Sequence, residues 1–317
     1  MRAVQYEKYG GADVLNLIDA PEPEAGPKQV LIEIHSTAVN PIDWKLRSGS
    51  MKRLYSLSLP VIVGFDVSGV VAAVGSEVRN FRVGDEVFAR SNKKAGEASA
   101  EWIALDEDVV ARKPAKLSHD EAAAVPLAGL TALQALRDLA GLKPGQRVLI
   151  NGASGGVGMY AVQIARAMFD AEVVATCSAA NVDFVKSLGA GDIIDYRAGD
   201  PLQTDEKYDC IFDVVMSLNF SRARKVLNPG GTIVATSLSA NLLYSLALGN
   251  LFSSRKARLI LVKSNGSDLA LLGDLADDGR LRSTIDSTYS LEEIQKAHER
   301  SESGRARGKI VIQVKQV

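Results

Sequence analysis

The sequence predicts an α/β protein in two parts, a doubly wound parallel sheet and a separate β-rich lobe. Three observations carry this reading. From about residue 118 to 265, strand-like and helix-like segments alternate, the mark of βαβ units. Within that stretch a glycine-rich turn joins an apolar strand to an amphipathic helix, at 147–167. Before residue 115 the chain reads as short strands and polar turns, and it closes on one more apolar strand, Lys309–Val314, that needs a sheet to join.

At 317 residues the chain exceeds one typical core, so two domains are expected. Thirty-seven basic against 38 acidic residues leave a net charge of −1, which argues against a nucleic-acid partner. The short basic run Arg305, Arg307, Lys309 reads as a solvated edge. Two cysteines, Cys177 and Cys210, are too few for a disulfide framework or a structural zinc site, and both read as small buried hydrophobes. The opening MRAVQYEKYG alternates like a strand and lacks an apolar signal core. The most apolar stretch, Leu242–Phe252, is broken by Ser245, Gly249 and Asn250 and is too short to span a bilayer. A cytoplasmic protein without an integral membrane segment is expected.

In chain order, Val30–Ile34 forms a strand, Val61–Val74 a strand that bends at its glycines, and Phe81–Ala89 a turn through Gly84 and Asp85 into another strand. Ser118 with Glu121 three residues on marks a helix start. A second helical run follows from Gly129 to Leu139. Strands are then expected at Arg147–Asn151, Glu172–Thr176, Ile193–Ile194, Cys210–Val215 and Thr232–Thr236, with helices at Gly158–Phe169 and Val182–Leu188. Helices Ser267–Leu275 and Leu291–Arg300 precede the last strand. The N-terminal lobe is its expected acceptor, so that lobe comprises residues 1–122 and 265–317, with 123–264 as the α/β domain.

The strongest local motif is Gly152-Ala153-Ser154-Gly155-Gly156-Val157-Gly158. Gly155 and Gly158 match the last two glycines of the dinucleotide fingerprint, and Ala153 stands in for the first. Small residues let backbone approach a pyrophosphate, and the helix start offers unpaired N–H groups with partial positive charge. The expected ligand is a dinucleotide on a Rossmann domain. NAD-selective sites place an acid at the end of the next strand to accept from the ribose 2′-OH. Here Thr176-Cys177-Ser178-Ala179-Ala180-Asn181 has no acid before Asp183, which favours NADPH over NADH, although no Arg or Lys partner is evident in the loop.

The segments NPIDWKLRSG (40–49), GFDVSGVV (64–71), FRVGDEV (81–87), GLTALQAL (129–136), the glycine-rich turn, LNPGGT (227–232) and RGKIV (307–311) together resemble the medium-chain dehydrogenase/reductase superfamily. Within it the chain is similar to the zinc-free quinone oxidoreductase branch. The resemblance implies a β-rich GroES-like catalytic domain from both termini, a central Rossmann domain, a cleft for nicotinamide and substrate, and a homodimer. It implies Thr131 on the nicotinamide side, Ser154, Gly155, Gly156, Val157 and Gly158 around the pyrophosphate, and Ser178 and Tyr196 lining the adenosine phosphate pocket. Relatives often carry a basic residue where Ala180 stands, a departure that weakens NADPH selectivity and leaves NADH open. Asn40 would lie beside the nicotinamide and the substrate carbonyl, with Asp43 and Lys45 nearby.

Lys45 is either a proton donor to a developing enolate or an exposed helical lysine, and Asp43 either takes part or only caps the turn after Pro41. Asp66 is expected as a structural hydrogen-bonder, and Tyr55 as a packing residue that can reach substrate. No metal is expected: where zinc-dependent relatives place Cys and His, this chain has Pro41-Ile42-Asp43 and Phe65. His35 reads as structural, and His119 and His298 as surface residues. Without a Lewis acid, hydride addition to a quinone or an activated enone is easier than alcohol oxidation. An alkenal reductase acting on lipid-derived enones fits the same residues, with 241–252 as an apolar substrate lip or an interface helix. A low-turnover NADPH-binding protein with a regulatory or structural role is the remaining alternative.

Overall fold

The computed structural model describes residues 1–238, 242, 250 and 253–315. They form two compact units, Met1–Leu130 with Lys263–Val317, and Thr131–Val262.

The first unit opens with β1 (Arg2–Tyr6), β2 (Asn16–Asp19), β3 (Gln29–Val39), α1 (Pro41–Arg47), β4 (Val61–Ile62), β5 (Asp66–Val74), β6 (Glu86–Arg90), β7 (Trp102–Asp106) and β8 (Val110–Arg112). Strand β3 shows why the order holds: Val30, Ile32 and Ile34 point to one face and are buried, the period-two pattern of a half-covered sheet. The bend expected within 61–74 separates β4 from β5 at Gly64. Its φ of +94° and the nearby backbone of Ser99 leave no room for a side chain. Helix α2 (His119–Ala123) starts on a reciprocal box: Ser118 N–H donates to Glu121 Oε2 at 2.9 Å, and Glu121 N–H to Ser118 Oγ at 3.2 Å. Helix α3 (Pro126–Gln134) begins earlier than the pattern suggested and continues as one wider turn through Ala135–Leu139. Its first turn belongs to this unit, because Leu127 N–H donates to Asp66 Oδ1 at 2.7 Å.

The second unit contains β9 (Arg147–Asn151), α4 (Gly156–Phe169), β10 (Glu172–Cys177), α5 (Val182–Ser187), β11 (Asp192–Asp195), β12 (Tyr208–Asp213), α6 (Phe220–Ala223), β13 (Leu227–Ala235) and β14 (Lys256–Leu259). The strands pair in parallel in the order β11-β10-β9-β12-β13-β14, the doubly wound arrangement. Val148, Leu149 and Ile150 of β9 are all fully buried, as a central parallel strand covered on both faces requires.

The chain then returns to the first unit through α7 (Gly266–Asp277), β15 (Ile285–Ser290), α8 (Ile294–Glu302) and β16 (Lys309–Gln313). Strand β16 pairs antiparallel with β3, Ile310 opposite Val39. The larger sheet runs β15-β16-β3-β5-β6-β8, with β7 also on β3, and β1 joins β2 and β4 in a small second sheet. One core gathers Val4, Ile32, Val67 and Leu105 with Leu291, Ile310 and Ile312, so the two ends of the chain share it. Among the described residues, no helix is long and apolar enough to cross a membrane. The apolar stretch 241–252 lies outside them except for Leu242 and Asn250.

Candidate active site and cofactor cradle

In the second unit, β9 ends at Asn151, a polar residue closing an apolar strand. Its Nδ2 donates to Asp213 Oδ1 at 2.7 Å and to Ser217 Oγ at 2.9 Å, and its Oδ1 accepts from Thr176 Oγ1 at 2.6 Å. Thr176 Oγ1 in turn accepts from Gly152 N–H at 2.9 Å. This network ties the ends of β9, β10 and β12 together and fixes where the glycine-rich turn begins. Pattern reading missed it, although the Asn after VLI was its visible trace.

Gly152 takes φ of +89°, so the tight turn falls one residue before Ala153, the position expected to replace the first fingerprint glycine. A Cβ at Gly158 would overlap the carbonyl oxygen of Gly152 and sit 2.7 Å from Ala153 Cα, so helix and strand approach closely only with glycine here. Gly155 caps α4 in extended conformation and supplies no side-chain cap to the helix start. Ser154, Gly155, Gly156 and Val157 are half-buried around that start, and Gly158 is buried. A glycine-lined turn opening onto a helix start, with its backbone donors and partial positive charge, fits a dinucleotide pyrophosphate.

At the exits of β10 and β11, Cys177 pairs with Asp195, and Tyr196 N–H donates to Cys177 O at 3.3 Å. This sets Tyr196 beside Cys177, the residue before Ser178, where the two strands end. Asn181 N–H closes the turn on Ser178 O at 2.8 Å. Tyr196 is 54% exposed and so is available to a ligand. Thr131, expected near the nicotinamide, is buried in α3.

In the first unit, Asn40, Asp43, Asp66 and Lys309 meet, each 3% exposed or less. Asn40 precedes α1, and its N–H donates to Asp43 Oδ2 at 2.6 Å. Its carboxamide is held on both sides: Nδ2 donates to Asp66 Oδ2 at 2.8 Å and to Ala38 O at 3.3 Å, and Oδ1 accepts from Lys309 Nζ at 2.5 Å. Lys309 also pairs with Asp66 Oδ2 at 3.0 Å. Lys309 is thus not the solvated edge residue that its basic neighbours suggested. Strand β16 turns its side chain inward onto a buried carboxylate. Asp66 is the hub, as expected of a structural hydrogen-bonder. Asn40 spends its amide on this network.

Asp43 keeps one oxygen, Oδ1, without a partner, and burial pushes its carboxyl up to about 7, with the nearby Asp66 adding to the shift and the Asn40 N–H opposing it. Lys45, half-buried one turn into the helix, rests with Nζ 5.6 Å from the Trp44 ring centroid. Among the described residues its ammonium has no hydrogen-bond or ion-pair partner, and burial holds its pKa below the usual lysine value. Tyr55 is tethered away, its hydroxyl donating to Lys94 O at 3.0 Å.

Two histidine expectations are corrected. His298 is buried, with Nδ1 3.2 Å from Arg47 Nη1. Arginine only donates, so Nδ1 must accept and the ring carries its proton on Nε2. Arg47 also pairs with Glu302. His119 is half-buried, packed 4.3 Å from the His35 ring, with Nδ1 2.8 Å from Ser68 Oγ and Nε2 3.3 Å from Glu86 Oε1. Both cysteines are free and buried. Among the described residues, no group of three or more His, Cys, Asp or Glu side chains is arranged to hold a metal ion.

Comparison with known proteins agrees with this architecture. The profile described as "Alcohol dehydrogenase GroES-like domain" matches residues 26–115, and that described as "Zinc-binding dehydrogenase" matches 188–312. The chain is 36% identical over 324 residues to the chloroplast envelope quinone oxidoreductase homolog of Arabidopsis thaliana, covering 99% of this chain and 98% of the relative. It is 34% identical to the Arabidopsis thaliana chloroplastic NADPH-dependent alkenal/one oxidoreductase, over 98% of this chain and 79% of the relative. Among solved structures, the Escherichia coli quinone oxidoreductase complexed with NADPH superposes with a TM-score of 0.86 at 26% identity, over 99% of this chain and 100% of that one. With its GroES-like first unit and Rossmann second unit, the chain is an oxidoreductase of the quinone-oxidoreductase-like branch of the medium-chain dehydrogenase/reductase superfamily.

Proposed function

We propose that the chain is a zinc-independent, NADPH-dependent oxidoreductase that transfers hydride to a quinone or an activated α,β-unsaturated carbonyl. The observation that carries the reading is the cradle: a left-handed Gly152, a Gly158 that admits no side chain, and an α4 start that Gly155 leaves without a side-chain cap. The absence of an acid between Ser178 and Asn181 favours the 2′-phosphorylated cofactor. Relatives named for NADPH, quinone and alkenal/one chemistry support the same class.

Bound NADPH would supply the hydride. The chain's own part is orientation and charge. Lys45 holds a proton at Nζ for the oxygen or carbon that gains electron density, while Asn40, Asp66 and Lys309 fix the entry to its helix. Asp43 secures the first turn of that helix and acts as a positioning residue. Zinc independence is supported by side-chain use: both cysteines lie in the buried strands β10 and β12, and each histidine is packed on its own partners. Cytoplasmic residence and a homodimer belong to the reading and are checked by fractionation and light scattering.

The test is NADPH oxidation at 340 nm with a panel of quinones and enones, on protein treated with a chelator. Turnover with at least one acceptor is expected. Tight NADPH binding with no turnover on any acceptor would leave a binding protein instead, and dependence on added zinc would end the zinc-free reading.

A further inference from the structure

We propose that Arg197 is the cation that selects NADPH over NADH, by pairing with the 2′-phosphate of the adenosine ribose. The inference rests on the cofactor reading above and adds the partner that the β10 exit loop lacks. In a doubly wound sheet the ribose edge is read just beyond the second strand, by an acid for a 2′-hydroxyl or by an arginine for a 2′-phosphate. Here that loop, Ser178 to Val182, carries no charged side chain at all. The neighbouring strand supplies one. The parallel register sets Cys177 opposite Asp195, so the residues that leave β11, Tyr196 and Arg197, emerge beside Ser178.

Arg197 is exposed, and its guanidinium carbon lies 5.8 Å from the centroid of the exposed Tyr196 ring. Among the described residues its side chain makes no ion pair and no hydrogen bond. The nearest acid along the chain, Asp195, is engaged locally, accepting from Arg197 N–H at 3.0 Å. A planar cation resting on an aromatic face, with its donors unspent, suits a dianionic phosphate and allows bidentate pairing. Ser178 Oγ offers a further hydrogen bond at the same edge, since its one side-chain contact is a long one from Asn181 Nδ2 at 3.3 Å.

The test uses two fragments that differ only in that phosphate, adenosine 2′,5′-bisphosphate and 5′-AMP, titrated calorimetrically against the full chain. The wild type is expected to prefer the bisphosphate by about tenfold or more, the scale of a charge-assisted hydrogen bond. Arg197→Ala should erase most of that preference while leaving 5′-AMP affinity unchanged, which also shows that the variant is folded. Arg197→Lys should keep part of it, and added salt should shrink it in the wild type. A preference that survives in Arg197→Ala, or no preference in the wild type, overturns the assignment. Failure of the wild type to bind NADPH at all would instead overturn the cofactor reading on which the assignment rests.

Discussion

Replacing Asp43 by asparagine should change how stability depends on pH, and the size of the change follows from the buried carboxyl. Its folded pKa is raised from 3.8 to about 7, chiefly by burial. The folded chain therefore keeps a proton that the unfolded chain releases near pH 4. The stabilisation from that proton is fully present below about pH 4 and is lost as pH rises through 7. A separation of about three units is worth roughly 4 kcal/mol at ~1.4 kcal/mol per unit. An asparagine side chain at this position would accept the same Asn40 N–H through its amide oxygen but does not titrate. Relative to wild type, Asp43→Asn should thus gain about 2–4 kcal/mol between pH 4 and pH 8. Urea unfolding followed by circular dichroism at several pH values measures the difference directly. A difference that stays constant across that range would refute the buried, protonated carboxyl.

The remaining expectations follow from neighbouring features. His298 titrates in the opposite sense: burial and Arg47 lower its pKa to about 3, so its contribution is present above pH 6.5 and is lost as pH falls toward 3. His298→Gln should flatten the acid limb of the unfolding profile. Lys309→Met leaves the Asp66 carboxylate buried without its cation and should cost about 3–5 kcal/mol in thermal or urea unfolding. The double change with Asp66→Asn should recover part of the loss. Gly158→Ala drives a Cβ into Gly152 and should lower NADPH affinity at least about tenfold in fluorescence titration. Lys45→Met should lower kcat about 100-fold with NADPH affinity unchanged, the scale of a lost general acid. If Lys45 is the acid, the wild-type rate should decline as pH rises and Lys45 gives up its proton, and Lys45→Met should remove that decline in a pH–rate profile.

What could be read from the sequence was what the chain encodes locally. The strand, turn and helix from Arg147 to Phe169, the Ser118–Glu121 box and the apolar last strand each declare themselves within a few residues. The short or polar strands β14 and β15, KARL and IDSTYS, carry no run or alternation strong enough to show. The candidate site was legible in its glycines and in the NPIDWK segment, but not in the groups that hold it. Lys309 looks like part of a basic tail until Asp66, 243 positions earlier, accepts its charge. His298 looks exposed until Arg47, 251 positions away, takes its Nδ1. Asn151, Thr176 and Asp213 acquire meaning only when three parallel strands end side by side. Arg197 follows the same pattern: nineteen positions beyond Ser178 in the chain, it comes beside that loop only when β10 and β11 pair.

The proposed chemistry predicts one outcome above the others, the transfer of hydrogen from the nicotinamide to carbon. Chelator-treated enzyme turning over an enone with NADPH deuterated at the transferred C4 position should yield product carrying one deuterium at the β-carbon by mass spectrometry. Product free of deuterium, or no product until zinc is restored, would contradict it.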